Sequence, residues 1–364
     1  MTELRAVLEA GLPGSDGPGV YPGAVALVLA DGEPVGREAV GEAVRYADRD
    51  HSLLPDERRI PARPDTIWDI ASITKLFTAV LTLGLVEEGL IDLDEPLGRW
   101  FPQYRGGVKQ RSTLRMLMTH VGGYLPGRPV WRESPFVGQR RRLLLEAEPV
   151  REPGSTYQYS DIGYQTAGFL AELVTGQRLE ALVEERILIP LGLTGTGYNP
   201  AVTLLPRIAA AEQRDDLETG VIHGRVHDEN ANGLGGVAGH AGLFSTAADL
   251  ARFGELLRGD GTVDGVTLLK PESVAVLRTD QIPADVPHPY GQGVGARIDD
   301  PKIVGPLSGA FGHTGFTGTS LLVDQARGLT VVLMTNRVHP TRNTDINPTR
   351  AGVSAVAFAL AARR

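Results

Sequence analysis

The 364-residue chain contains no cysteine, which excludes a disulfide framework, a thiolate nucleophile and a thiolate metal site. Lysine is scarce: of 36 basic residues only Lys75, Lys109, Lys270 and Lys302 are lysines. Arginine keeps its proton inside a protein, whereas a buried lysine can exchange one, so a lysine in this arginine-preferring chain points to proton transfer. No apolar run reaches membrane-spanning length. The opening Met1-Thr2-Glu3-Leu4-Arg5 has neither the basic nor the apolar region of a signal peptide. A soluble, cytoplasmic protein without a membrane partner is expected. A net charge of -8 and the lack of a basic cluster argue against nucleic acid as partner. Neither internal repeats nor low-complexity tracts occur.

After a Gly/Pro-rich lead-in from Leu12 to Gly23, Ala24–Ala30 is a continuous apolar run. Asp31-Gly32 is a hairpin signal, and Pro34–Val44 can return as a second strand. Ala47–Pro64 is charged, holds three prolines and reads as a loop. Trp68–Lys75 then leads into Leu76, Phe77, Ala79, Val80, Leu81, Leu83, Leu85 and Val86, apolar on nearly every helical face. That pattern belongs to a helix buried in the interior and ended near Gly89. Further helices are expected at Thr113–His120, Tyr164–Thr175, Leu179–Ile187, from Phe244 with Ser245 or Thr246 as N-cap, and at Ala351–Ala362. Strand signals return at Tyr290–Ile298, Gly309–Gly315, Thr319–Asp324 and Leu329–Thr335.

This order implies an α+β protein. Two N-terminal strands join four C-terminal ones in one antiparallel sheet flanked by helices, with a mainly helical segment inserted. The expected organisation is a single catalytic domain over 1–364. Its sheet part covers about 20–70 plus 280–364, and its helical part about 71–279.

Ser72 and Lys75 are three apart, so on a helix their side chains meet on one face near its N-terminus, where free N–H groups and a partial positive charge favour a nucleophilic oxygen. With twelve serines and four lysines, composition alone yields S-x-x-K about one time in eight, so the pair needs partners. Two clusters supply them. Pro153–Tyr164 is a turn-rich loop with three tyrosines, and a tyrosine facing a Ser/Lys pair can relay protons. Phe311–Gly318 places His313-Thr314 among glycines that admit a ligand or a second backbone.

These motifs resemble the serine β-lactamase and penicillin-recognising superfamily. Ser72-Ile73-Thr74-Lys75 is similar to its S-x-x-K, Tyr159-Ser160-Asp161 to its Y-x-N, and His313-Thr314-Gly315 to its K-T-G. Order and spacing resemble the branch of class C β-lactamases, D-Ala-D-Ala carboxypeptidases and esterases, as do Met118–Gly123 and Gly239–Leu250. The resemblance implies a covalent acyl-enzyme on Ser72, with Lys75 and Tyr159 as general base and acid in an order left open. It also implies an oxyanion hole from the backbone N–H groups of Ser72 and Phe316, each such donor worth about 3 kcal/mol of barrier. Asp161, His313, Thr314 and Gly315 would bind substrate, with neither cofactor nor metal.

Two departures narrow the substrate. His313 replaces a lysine, making the fixed charge for a substrate carboxylate absent or pH-dependent, and Asp161 replaces an asparagine, adding negative charge near Lys75. Both suit an esterase or amidase better than a β-lactamase. The expected substrate is a peptide-like, muropeptide-like or small ester compound, the second because His227–Asn232 resembles a muropeptide-hydrolysing branch. Alternatives are a transacylase of secondary metabolism, a D-Ala-D-Ala carboxypeptidase or β-lactamase, and a non-catalytic acylated sensor. A zinc site at His223 and His227 is disfavoured by Gly224 and by the missing HExxH glutamate. An α/β-hydrolase is excluded because no G-x-S-x-G occurs.

Overall fold

The eight-residue run Gly23–Ala30 (β1) is buried along its whole length, as a strand covered on both faces must be. Asp31 and Gly32, both at positive φ (50° and 82°), turn it back into β2, Glu33–Val44. The computed structural model describes residues 1–14, 17–215, 220–305 and 308–363; Ser15 and Asp16 of the Gly/Pro-rich lead-in lie outside them.

Eight antiparallel strands form the main sheet. Besides β1 and β2 they are β3 (Ile60–Pro61), β4 (Gly291–Gln292), β5 (Arg297–Ile298), β6 (Phe311–Thr314), β7 (Ser320–Asp324) and β8 (Leu329–Thr335), in the order β4-β5-β6-β7-β8-β1-β2-β3. The N-terminal hairpin thus joins the C-terminal strands through the β1–β8 pairing, Ala24 opposite Thr335 to Ala30 opposite Leu329. The N-terminal part contributes three strands, not two, because Ile60–Pro61 of the expected loop pairs with β2, and the C-terminal part five, not four, because Tyr290–Ile298 breaks into β4 and β5. Gly293 sits where a Cβ would lie 1.8 Å from the Leu277 carbonyl oxygen, so the chain turns there between a pressed backbone and Gly295.

Alternate residues of β1 enter different cores. Ala24, Ala26 and Val28 pack with Leu4 and Leu8 of α1 (Glu3–Glu9) and Val353 and Ala357 of the C-terminal helix Asn347–Ala361. Val25, Leu27 and Leu29 face the larger core, which holds α2 (Thr74–Glu87), a helix buried on nearly every side. Phe77 of α2 stacks on Phe253 at 3.8 Å, tying α2 to the sheet-covering helix Ala247–Arg258. The inserted segment also holds α3 (Leu114–Met118) and α4 (Ile162–Thr175), the latter stopped by left-handed Gly176. Two helical expectations shift. Phe244 and Ser245 belong to a short strand, Leu243–Ser245, and Thr246 alone caps the helix through the Asp249 N–H. The helix at Leu179 changes to a π-turn over Glu184–Leu188. No described helix is long and apolar enough to cross a membrane.

Candidate active site

Ser72 lies in a tight 3-10 turn, Ala71–Ile73, that feeds α2. The turn is held from three directions. Trp68–Asp69 pairs with Leu243–Ser245, and the Ile70 N–H donates to the Leu243 carbonyl at 3.0 Å. Buried Asp69 accepts the N–H groups of Ala71 (2.8 Å) and His227 (2.7 Å). From the sheet, Thr317 and Thr319 donate their hydroxyls to the Asp69 and Ile70 carbonyls at 2.6 and 3.2 Å. Gly315 makes that approach possible, since a Cβ there would lie 2.5 Å from the Ile70 oxygen. Ala71 pays for the sharp turn with a φ of 47°, a left-handed conformation rare for a residue with a Cβ.

Lys75 is fully buried one turn later, and three oxygens surround its Nζ: Ser72 Oγ at 2.9 Å, Asp161 Oδ1 at 2.8 Å and the His240 carbonyl at 3.2 Å. Burial works against its charge, but the Asp161 carboxylate and Tyr159 outweigh burial, and the lysine pKa moves up. Behind this pair His240 Nε2 lies 2.9 Å from Asp228 Oδ1. Burial disfavours the Asp228 charge, but His240, the Ala231 N–H and Lys75 prevail and hold its carboxyl well below the usual range.

Tyr159 faces Lys75, its ring 5.0 Å from Nζ. Its loop is pinned by His120, whose ring lies 4.3 Å from that of Tyr159 and whose Nδ1 accepts the Ser160 N–H at 3.1 Å. Burial, with Lys75 and Arg297 nearby, keeps His120 neutral. Asp161 directs its carboxylate at Lys75.

Thr314 at the end of β6 and Gly315 just beyond it line a cleft of about 280 Å³ shared with Ser72, Tyr159 and Phe316. His313 does not line it. It is fully buried, its Nδ1 lies 2.8 Å from the Thr314 carbonyl, and burial beside Arg297 and Lys75 pushes its pKa far down. The positive charge that the sequence left unassigned comes from Arg297 on β5. Its guanidinium lies 4.8 Å from the Tyr159 ring centroid and donates to Asp300 (2.9 Å) and Thr314 Oγ1 (3.3 Å). Burial opposes its charge, but Tyr159, Tyr290 and Asp300 outweigh it and hold the pKa up.

Sequence reasoning also missed Lys302, Arg337 and Arg350, which line the same cleft. Arg350 clamps the β6–β7 turn by donating to the Gly315 and Thr319 carbonyls at 2.8 and 2.9 Å. The Phe316 ring lies between His227, stacked at 5.7 Å, and Arg337, 4.6 Å from the ring centroid. Among the described residues no protein group accepts the Phe316 N–H. His223 and His227 do not converge: His223 Nε2 pairs with the Ile208 carbonyl, His227 Nε2 with Glu212. The one described trio with metal-ligand spacing is Asp161, Asp228 and His240, and Lys75 already supplies its cation.

The sequence pattern of the Beta-lactamase family matches residues 15–355. A relative from Escherichia coli strain K12, named "Putative D-alanyl-D-alanine carboxypeptidase", is 33% identical, covering 90% of this chain and 81% of its own. Two solved structures share the fold. A penicillin-binding protein homologue from Caulobacter crescentus has a TM-score of 0.74 at 23% identity, covering 98% of this chain and 96% of its own. A family VIII carboxylesterase has a TM-score of 0.75 at 22% identity with the same coverage. With the matched pattern spanning nearly the whole length, the chain belongs to the beta-lactamase family of serine-hydrolase type.

Proposed function

We propose that the protein hydrolyses an amide or ester of a peptide-like acyl compound through a covalent acyl-enzyme on Ser72. The observation that carries this is the 2.9 Å contact between Lys75 Nζ and Ser72 Oγ in a cleft that also holds Tyr159 and Arg297. With its pKa raised, Lys75 rests as an ammonium and donates to Ser72 Oγ, so it cannot take the serine proton in that state. The base is then Tyr159, whose ring centroid lies 5.0 Å from Lys75 Nζ and 4.8 Å from the Arg297 guanidinium. Ser72 attacks the carbonyl carbon while Tyr159 receives its proton, and the N–H groups of Ser72 and Phe316 hold the oxyanion. Tyr159 passes the proton to the leaving amine or alkoxide. Water then attacks the ester, again through Tyr159, and Ser72 is regenerated.

Arg297 and Thr314, bonded to each other at the cleft wall, suit a substrate carboxylate beside the scissile bond. The name borne by the Escherichia coli relative is consistent with that choice. A C-terminal D-amino acid is therefore the preferred leaving group, in a free peptide or a muropeptide. The test is labelling of Ser72 by a fluorophosphonate probe together with release of D-alanine from an N-acyl-D-Ala-D-Ala peptide. Both are expected in the wild type and absent in Ser72→Ala. Labelling without release of D-alanine, or of p-nitrophenol from p-nitrophenyl acetate, would favour an acylated sensor, and retained labelling in Ser72→Ala would sink the assignment.

A further inference from the structure

The cleft carries more positive charge than a single carboxylate needs. Arg297 is compensated by buried Asp300, and Arg350 is committed to the Gly315 and Thr319 carbonyls and to Asn347 Oδ1. Arg337 and Lys302 differ from both. Arg337 makes its hydrogen bonds to backbone oxygens: Nε donates to the Phe316 carbonyl at 2.8 Å, and Nη1 to those of Arg342 and Thr344 at 3.1 and 2.8 Å. This leaves Nη2 without a partner among the described residues, on a rigid guanidinium. Lys302 lines the same cleft, exposed, and its ammonium meets no described carboxylate. Asp345 is the one acidic residue in the lining. In a chain of net charge -8, where many arginines are paired with carboxylates, two lining cations with no ion pair among the described residues concentrate anions in the cleft, although Asp345 and Glu212 attract Arg337 at longer range.

We infer that Arg337 and Lys302 form a second anion subsite, so that the preferred substrate carries two negative groups. One is held by Arg297 and Thr314, the other by Arg337 and Lys302. The first half rests on the hydrolytic reading above; the second stands on the two unpaired cations. The substrate class is an acylated peptide with a side-chain carboxylate near the scissile bond besides its terminal one.

The test is calorimetric binding to the Ser72→Ala protein, which separates recognition from turnover. The ligands are N-acyl-D-Ala-D-Ala and the same peptide with D-glutamate in the last or the penultimate position. One of the dianionic peptides is expected to bind about tenfold more tightly at low salt, the worth of one charge-assisted contact. High salt should shrink that ratio, because the subsite is open to solvent. Lys302→Gln should reduce the ratio, Arg337→Gln should abolish it, and Arg337→Lys should restore part of it. Equal affinities for all three peptides overturn the proposal, as does a preference that survives in the Lys302→Gln/Arg337→Gln double variant. Lys302 is exposed, so its variant reports even where Arg337→Gln disturbs the turn at Phe316. Preference without turnover by the wild type keeps the subsite and sinks the hydrolytic reading; turnover without preference does the reverse.

Discussion

Two flanks of Ser72 treat charge in opposite ways. On the helical side, Lys75 is fully buried and matched to Asp161, with Asp228 and His240 paired behind it. On the sheet side, Arg297 is matched to Asp300, but Arg337, Arg350 and Lys302 share its cleft with Asp345 as the one acidic residue in the lining. Crowding shows in Arg350, whose pKa is pushed down to about 9 by burial first and then by Arg337 and Arg297. A closed, compensated cluster can hold a proton in a fixed position, because moving any charge there is costly. An open, undercompensated one attracts a ligand that brings the missing charge.

The sharpest way to break the contrast is to remove the helical side's cation. Lys75→Met leaves Asp161 and Asp228 facing each other with no ammonium, and hydrolysis should fall by about a thousandfold or more. Asp161 is partly exposed, so the stability cost sits at the low end of the range for broken buried pairs, about 3 kcal/mol by urea denaturation. A stable but inactive Lys75→Met protein would mean that the pair serves chemistry alone.

Asp161→Asn is gentler and sharpens the same point. The folded-state pKa of Lys75 is raised, so its stabilising contribution is complete below the ordinary lysine value and is lost as pH rises through the raised one. Losing Asp161 lowers that pKa. The alkaline limb of kcat/KM against pH should move to lower pH, with a drop of about tenfold at pH 8. An unmoved limb would show that Asp161 does not hold the ammonium.

The smallest effect probes the ion pairs behind the sheet-side cleft. Burial opposes the Glu212 charge, but His227 and Arg342 outweigh it and bring the pKa down to about 2. Its contribution is therefore present above the ordinary glutamate value and is lost as pH falls toward 2. Glu212→Gln should cost about 1 kcal/mol at pH 7, a figure reduced for solvent screening, and the gap to wild type should close between pH 5 and pH 2. A gap independent of pH would place the effect in packing rather than charge.

Motifs close in sequence were legible because local geometry fixes them. Ser72 and Lys75 meet across one turn, and β1, β2 and the Asp31-Gly32 turn follow from an apolar run ending in residues that tolerate positive φ. Scarcity of lysine was a weaker guide, since Lys109 is buried too, yet lies outside the cleft, where it donates to the Leu145 carbonyl at 2.6 Å and sits over the Tyr104 ring. Arg297 stayed hidden because it is one of many arginines on a two-residue strand, brought to Tyr159 by pairing with Gly312 rather than by any local pattern. His313 misled for the converse reason. The strand alternation that turns Thr314 toward the cleft turns its neighbour away from it.

The β1–β8 pairing also sets an order of events in synthesis. As the chain leaves the ribosome, the β1–β2 hairpin keeps one long apolar edge bare until residues 329–335 emerge, about 300 residues later. At typical elongation rates of about 5–20 residues per second the wait is roughly 15–60 s. Throughout it, the nascent hairpin presents a template to any stray strand, including those of a neighbouring nascent copy. The cleft shares this timetable. Ser72 is made early, but Arg297, Phe316 and Arg337 come near the end, so no truncated chain has a finished pocket.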